Sequence, residues 1–382
     1  SNFKFSLTTE DEVLDIISAL KSNASGYDGI TLQMIKLCFS VICKHMVHII
    51  NCCLETGFFP QSWKMALVRP VPKSTVVKSL SDLRPISILP ALSKILEKVI
   101  YKQVYNYISA EGILTEDQSG FRTGFSTTSI LAVTVDDCID SIDKNYAAVA
   151  TFLDFSKAFD TLDHDLLCAK LQYYGFDLTT TNFFRSYLSN RYQQVVLESG
   201  KSELALITSG VPQGSILGPI LFIIYTAQLL SMPSSSKKRA FADDTQLLLH
   251  FQPSLVEDAC NDVNKDLVNI VKAASSINLK LNADKCKLMC FAPKKLRMAI
   301  ANNIDIRIGN KKLPVLQTVK NLGLFIDDDF KFKSHVSNVI KKCYLALKML
   351  YSNFLILNFK LRKKLCEALV LSHINYCFII YY

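Results

Sequence analysis

Two adjacent carboxylates, Asp243 and Asp244, interrupt a stretch that otherwise reads as two strands, Arg239-Ala240-Phe241 and Thr245-Gln246-Leu247-Leu248-Leu249. The pattern predicts a β-hairpin with the acidic pair at its turn. Like charges held that close repel, and burial raises the cost. A divalent cation is the usual compensation. Taken alone, the pair is equally an ordinary acidic turn, because Asp is a good turn residue. A third carboxylate shifts the balance. Tyr146 to Phe155 reads as a buried strand through Ala148, Val149, Ala150, Phe152 and Leu153, and its apolar run ends at Asp154. A carboxylate ending one strand and a carboxylate pair on an adjacent hairpin suit two cations that bridge the attacking and leaving oxygens of an in-line phosphoryl or nucleotidyl transfer.

Other residues supply matching parts. Arg69, Lys73 and Arg84 can neutralise a triphosphate, and the loop Ser209 to Ser215 carries Gly210 and Gly214, which permit close backbone approach. Asp160, Asp163 and Asp165 are further carboxylates, read here as helix-start residues favoured by the helix dipole. Residues 330 to 366 hold nine Lys/Arg and no Asp/Glu, which equals the net charge of +9 on the 382-residue chain. That imbalance suggests a polyanionic partner, most simply nucleic acid. A solvated helix face or an acidic membrane surface would read the same way.

The elements that must position these groups are mixed. Thr9 with Glu12 reads as a capping box ahead of Val13, Ile16, Ile17 and Leu20. Leu32 to Leu54, Leu92 to Ile108 and Leu255 to Ile277 have helical periodicity. Trp63 to Pro72, a hairpin over Gln193 to Leu206 turned at Ser199-Gly200, Leu279 to Asn282, Lys287 to Phe291 and Val319 to Ile326 read as strands. A polar loop follows Lys73, and Gln118 to Thr127 is a Gly-punctuated loop opening a helix. Strands mixed with helices argue an α+β fold. With 49% apolar residues this is a folded chain. The apolar run Ile216 to Leu230, broken by Gly218-Pro219, is too short to span a bilayer. Twelve cysteines without a framework spacing, many in apolar helical contexts (Cys38, Cys43, Cys52, Cys168, Cys343, Cys366), read as reduced, buried thiols. No signal peptide opens the chain, which begins with Ser and reads as a piece of a longer protein.

Seven ordered blocks carry a resemblance: Gly26-Tyr27-Asp28-Gly29-Ile30; Leu83-Arg84-Pro85-Ile86-Ser87 with Lys94-Ile95-Leu96-Glu97; Gln118 through Thr127; Leu153-Asp154-Phe155-Ser156-Lys157-Ala158-Phe159-Asp160; Gly210 through Pro219; Phe241-Ala242-Asp243-Asp244; and Asn321-Leu322-Gly323. In this order they resemble the reverse-transcriptase domain of non-LTR, LINE-type, Jockey-like retrotransposons. The resemblance implies an RNA-directed DNA polymerase with a right-hand fold and an antiparallel palm sheet. It places fingers with an N-terminal extension over 1–145, palm over 146–330 and a partial thumb over 331–382. It implies two Mg²⁺ ions (Mn²⁺ being the alternative) held by Asp154, Asp243 and Asp244. Lys285 is the expected general acid, with Lys280 and Lys287 as alternatives. Lys73, Arg84, Phe155, Phe159, Gln213 and Gly214 are expected at the incoming nucleotide, Phe159 as the ring that excludes a ribose 2′-OH. Lys341, Lys342 and Lys348 are expected on the nucleic-acid backbone. The implied partners are an RNA template, a DNA primer or target and deoxynucleoside triphosphates, with no membrane and with an endonuclease on the preceding part of the parent chain. The implied location is nucleus and cytoplasm. The rival expectation is an inactive fragment that only binds nucleic acid. One departure stands out: after Ser372-His373-Ile374-Asn375-Tyr376, Cys377 occupies a position where Gly is typical.

Overall fold

The computed structural model describes residues 2–22, 24–73 and 76–382, so part of the polar loop expected after Lys73 lies outside the described residues. In chain order the main helices are α1 (Glu10–Ala19), α2 (Leu32–Thr56), α3 (Ala91–Ala110), α4 (Thr127–Asp143), α5 (His164–Tyr173), α6 (Leu178–Leu188), α7 (Leu217–Thr226), α8 (Val256–Ser276), α9 (Arg297–Asn303), α10 (Lys333–Ser352) and α11 (Phe359–Cys366). The strands are β1 (Met65–Pro72), β2 (Leu83–Ile88), β3 (Ala147–Leu153), β4 (Arg191–Leu197), β5 (Gly200–Lys201), β6 (Ala205–Ile207), β7 (Lys237–Phe241), β8 (Asp244–Phe251), β9 (Lys287–Phe291), β10 (Arg307–Ile308), β11 (Lys311–Lys312), β12 (Thr318–Asn321) and β13 (Leu324–Asp327). They form two compact units. One comprises Ser1–Glu116, Ser156–Leu229 and Ala274–Lys280, the other Asp117–Phe155, Leu230–Ala273 and Leu281–Tyr382.

In the first unit, Thr9 caps α1 by accepting from Glu12 N at 3.3 Å. The expected box is half made, because the Glu12 carboxylate instead accepts from the Thr8 hydroxyl at 2.7 Å. Helix α2 starts at a Thr31 cap and stops at Gly57, whose φ of 67° suits glycine. By length and composition α2 is long and apolar enough to cross a membrane. It packs against α1 and α6, and its buried residues include Ile35, Met46 and Ile50. The sheet runs β2-β1-β4-β5 with β6 on β4. Strand β1 is antiparallel to β2 and parallel to β4. The expected hairpin turn is displaced by one residue: Leu197 pairs with Gly200, so Glu198-Ser199 make the turn.

In the second unit, β7-β8-β3-β9 form a four-stranded sheet that is antiparallel throughout. A central strand is covered on both faces, which explains why every residue of β3 is buried and apolar except Thr151. Ala148, Ala150 and Phe152 pack with Leu131, Val135 and Cys138 of α4 and with Met289 and Phe291 of β9. Each large apolar side chain so buried contributes about 1.5–3 kcal/mol, giving the sheet a rigid floor. Leu279 to Asn282 is not a strand, contrary to expectation; Leu281 makes only an isolated bridge to Phe155. Hairpin β12–β13 turns at Leu322-Gly323, and the Tyr376 hydroxyl donates to Leu322 O. Cys377 has φ 57°, a left-handed conformation that glycine adopts without strain and cysteine does not. All twelve cysteines are free, but Cys38 is exposed and Cys52 and Cys366 are only half-buried, because each faces outward from its helix.

Candidate active site

The β3–β8 register brings the acidic residues to one end of the antiparallel sheet. Leu153, the last residue of β3, is paired with Thr245, so Asp154, which follows it, comes to the end of the sheet where Asp244 opens β8. Phe241 pairs with Asp244. The hairpin turn is therefore Ala242-Asp243, and the expectation of both aspartates at the turn is corrected: Asp243 is on the turn and Asp244 opens the strand. Ala242 sits at φ 60°, where a residue with a Cβ is disfavoured by about 1–2 kcal/mol.

Asp244 feels the other two carboxylates. The Asp244 carboxyl is pushed up to about 6, first by burial and then by the charges of Asp243 and Asp154, with Lys287 pulling the other way. Asp244 as a residue retains solvent exposure although protein atoms crowd its carboxyl, so water screens part of this effect. Among the described residues no three His, Cys, Asp or Glu side chains are drawn into a closed metal-binding group. Asp154 Oδ1 is nevertheless buried without a hydrogen-bond partner. A carboxylate oxygen without a hydrogen-bond partner, beside two further carboxylates, belongs to a hard-oxygen donor set of the kind Mg²⁺ or Mn²⁺ takes.

The segment after α8 wraps the base of this site. Asn282 N donates to Asp154 O at 2.8 Å, and Asp154 N donates to Cys286 Sγ at 3.5 Å. Lys285 and Cys286 both donate their N–H to Asn282 O at 3.0 Å. This turn carries Lys285 Nζ to 4.0 Å from Asp154 Oδ1, with both side chains substantially open to water. Lys287 lies on β9 opposite Phe152 of β3. Lys280 is in the other unit, where its carbonyl accepts from Ser156 N at 2.9 Å. Phe155 is buried, 8% exposed, and bridged to Leu281.

In the first unit, the loop holding Gln213 and Gly214 is docked on two neighbours. Gln213 O accepts from Ser87 N at 2.7 Å, and Gln213 Nε2 donates to Asp160 Oδ1 at 2.8 Å. A Cβ on Gly214 would lie 2.4 Å from Ser87 O, so only glycine fits. This places Gln213 and Gly214 against β2, the strand of Arg84, which is exposed and pairs with Val71 of β1. Arg69 is exposed on β1. Lys73 is turned to its own loop, with Nζ donating to Ser81 O at 2.8 Å. Phe159 is half-buried and stacks on Phe222, with ring centroids 4.3 Å apart at 24°. Asp160 is not a helix-start residue, contrary to expectation. Helix α5 begins at His164 with Asp163 as its cap, and Asp165 in its first turn pairs with Arg185 at 2.7 Å.

Glu97 is a functional residue that sequence reasoning missed. It is fully buried on α3, where Oε2 accepts from Ile216 N at 2.7 Å and Leu217 N at 3.2 Å, and Oε1 accepts from the Ser93 hydroxyl at 2.7 Å. It thereby caps α7, the helix that follows the Gln213 loop. A charged residue inside the apolar stripe of Ile95, Leu96, Val99 and Ile100 was the available signal. In the second unit, Lys341, Lys342 and Lys348 are exposed on α10, a helix with no acidic residue.

Residues 71–326 match the family model described as reverse transcriptase (RNA-dependent DNA polymerase). The chain is 28% identical over 356 residues to the probable RNA-directed DNA polymerase from transposon BS of Drosophila melanogaster, covering 88% of this chain and 38% of that protein. It is 26% identical over 343 residues to the RNA-directed DNA polymerase from mobile element jockey of the same organism, covering 87% and 37%. It is 28% identical over 358 residues to the retrovirus-related Pol polyprotein from type-1 retrotransposable element R2 of Popillia japonica, covering 87% and 47%. The chain thus spans less than half the length of these relatives. With two thirds of its length matched and its acidic residues gathered at one end of an antiparallel sheet, the chain belongs to the reverse transcriptase (RNA-dependent DNA polymerase) family.

Proposed function

We propose that this chain is the polymerase portion of a non-LTR retrotransposon protein and extends a DNA primer on an RNA template. The observation that carries the reading is the convergence of Asp154, Asp243 and Asp244 at one sheet end, with an orphaned carboxylate oxygen among them. In the reaction the primer 3′-oxygen bonds to the α-phosphorus of a deoxynucleoside triphosphate, the bond to the bridging oxygen breaks, and pyrophosphate leaves. Asp154, Asp243 and Asp244 would hold two Mg²⁺ ions, which activate the hydroxyl and neutralise the charge of the leaving group.

This chain's side chains supply the rest. Lys285, whose Nζ lies 4.0 Å from Asp154 Oδ1, would give a proton to the departing pyrophosphate. Lys287, whose charge reaches Asp244, is the alternative donor. Arg84 and Lys73 would meet the triphosphate, Phe155 and Phe159 the sugar, and Gln213 with Gly214 the nascent pair. Lys341, Lys342 and Lys348 would follow the phosphate backbone of the duplex. In this reading residues 1–145 would form the fingers with an N-terminal extension, 146–330 the palm and 331–382 a partial thumb. An endonuclease elsewhere on the parent chain, no membrane contact, and action in nucleus and cytoplasm complete the reading.

Primer extension on an RNA template tests it, with wild type and Asp243→Ala compared at equal concentration. Wild type should extend with deoxynucleotides, and the variant should lose activity by orders of magnitude. Absence of extension by wild type, or equal extension by both, overturns the proposal.

A further inference from the structure

The hairpin that carries the acidic pair is braced from outside its own strands. Residues 117 to 119 run along β7, with Ala240 N donating to Asp117 O at 2.7 Å and Ser119 N to Ala240 O at 2.8 Å. This sets Gln118, 4% exposed, directly against the turn. Gln118 Oε1 accepts from Ala242 N at 3.0 Å and from Gly120 N at 2.8 Å, while Nε2 donates to Ala242 O at 3.3 Å. Two backbone N–H groups converge on one atom, which identifies it as the amide oxygen. Gly120 makes the approach possible: a Cβ there would lie 2.1 Å from Ala242 N. Arg122 anchors the segment by donating to Gln118 O at 3.0 Å, its guanidinium lying 4.6 Å from the Phe125 ring centroid.

We infer that Gln118 is a positioning residue, whose side-chain amide clamps both polar groups of Ala242 and so fixes the turn from which Asp243 and Asp244 depart. The inference rests on the polymerase reading of that site. A two-residue turn with alanine in the left-handed region is disfavoured on its own, and hydrogen bonds made only in that conformation select it. A primary amide matches a peptide unit donor to acceptor and acceptor to donor. Glutamate could only accept, asparagine falls a methylene short, and methionine does neither.

Two variants test the clamp, Gln118→Met and Gln118→Glu. The first measurement is hydrogen exchange of the Ala242 amide. The second is the Mg²⁺ concentration giving half-maximal primer extension, with melting temperature and primer–template affinity followed alongside. In Gln118→Met the Ala242 amide should exchange many-fold faster. Half-maximal Mg²⁺ should rise several-fold while primer–template affinity and melting temperature stay near wild type. In Gln118→Glu the amide should remain protected, because the acceptor is kept. Unchanged exchange or unchanged Mg²⁺ demand in Gln118→Met overturns the inference. If Gln118→Met does not fold, loss of Ala242 protection in folded Gln118→Glu does so. If wild type fails to extend a primer, the polymerase reading falls, while the exchange measurement still decides the clamp.

Discussion

Gln213 donates from Nε2 to Asp160 Oδ1 at 2.8 Å across 53 residues of chain. The contact is one of several between the loop before α7 and the turn after β3. Gly210 N donates to Leu162 O at 2.7 Å, Val211 N to Phe159 O at 2.9 Å, and the Ser209 hydroxyl to Asp160 O at 3.0 Å. The backbone bonds hold the loop, and the carboxylate aims the Gln213 amide. Asp160→Ala should therefore leave the loop in place and free the amide. On an RNA template, KM for the deoxynucleotide should rise several-fold with kcat changed less. Stability should fall by about 1.5–3 kcal/mol, the scale of one hydrogen bond to a charged group. Steady-state kinetics with urea unfolding measures both, and an unchanged KM would show that Gln213 does not meet the nucleotide.

Asp244 makes stability depend on pH in an unusual direction for a carboxylate. Its folded-state value of about 6 lies above the ordinary 3.8, so the folded protein binds this proton more tightly than the unfolded chain. The contribution is present below about pH 4 and is lost as pH rises through about 6. Asp244→Asn removes the titration. Its melting temperature should exceed that of wild type at about pH 7, and the gap should close toward about pH 4. Acids remote from Asp154 and Asp243 titrate alike in both proteins and cancel in the difference. Mg²⁺ favours the ionised form, so its stabilisation of wild type should grow over the same window and be reduced in the variant. Parallel curves for the two proteins would remove the basis for a shared electrostatic site.

Phe159 packs against Phe222 and, in the proposed function, gates the sugar. Its ring stacks on Phe222, which makes it part of the packing. Its position five residues past Asp154 is where the proposed function needs a sugar gate. Phe159→Ala should cost about 2 kcal/mol of stability, less than a fully buried ring. It should also raise ribonucleotide incorporation relative to deoxynucleotide by tenfold or more, since a missing ring opens room that a hydroxyl can fill (~1.4 kcal/mol per tenfold). Phe159→Tyr should keep the selectivity. Competitive primer extension with the two nucleotide types reads this, and an unaltered ratio assigns Phe159 to packing alone.

Local pattern carried the parts of this fold that local physics decides. The buried run ending at Asp154 was legible because a central strand needs every side chain apolar, and the caps at Thr9 and Asp163 follow from the orphan N–H groups of a helix start. The exact turn at Ala242-Asp243 was not legible. Period-two alternation does not say which two residues turn, and the non-glycine residue there is held by Gln118, 124 positions earlier. The role of Asp160 is hidden in the sequence for a related reason: it shares the helix-start signature of Asp163, and only the folded chain brings Gln213 to it.

Glu97 shows what such long-range satisfaction is worth. It is fully buried, and its carboxylate takes the first N–H groups of α7 from 119 and 120 residues away. Tyr187, itself fully buried, adds a hydroxyl at 3.4 Å. Glu97→Ala would leave Ile216 N and Leu217 N without their acceptor and open a cavity, so a loss of about 3–5 kcal/mol is expected. Glu97→Gln keeps one carbonyl oxygen for the two N–H groups, and its amide nitrogen can donate to a rotated Ser93 hydroxyl. That variant should lose only about 1 kcal/mol. Because α7 follows the Gln213 loop directly, Glu97→Gln should retain most nucleotide incorporation while Glu97→Ala should lose it along with the fold. Urea unfolding and primer extension on the two variants distinguish a cap from a bystander: equal stabilities would mean that the α7 N–H groups find another acceptor and that Glu97 does not set the position of the loop.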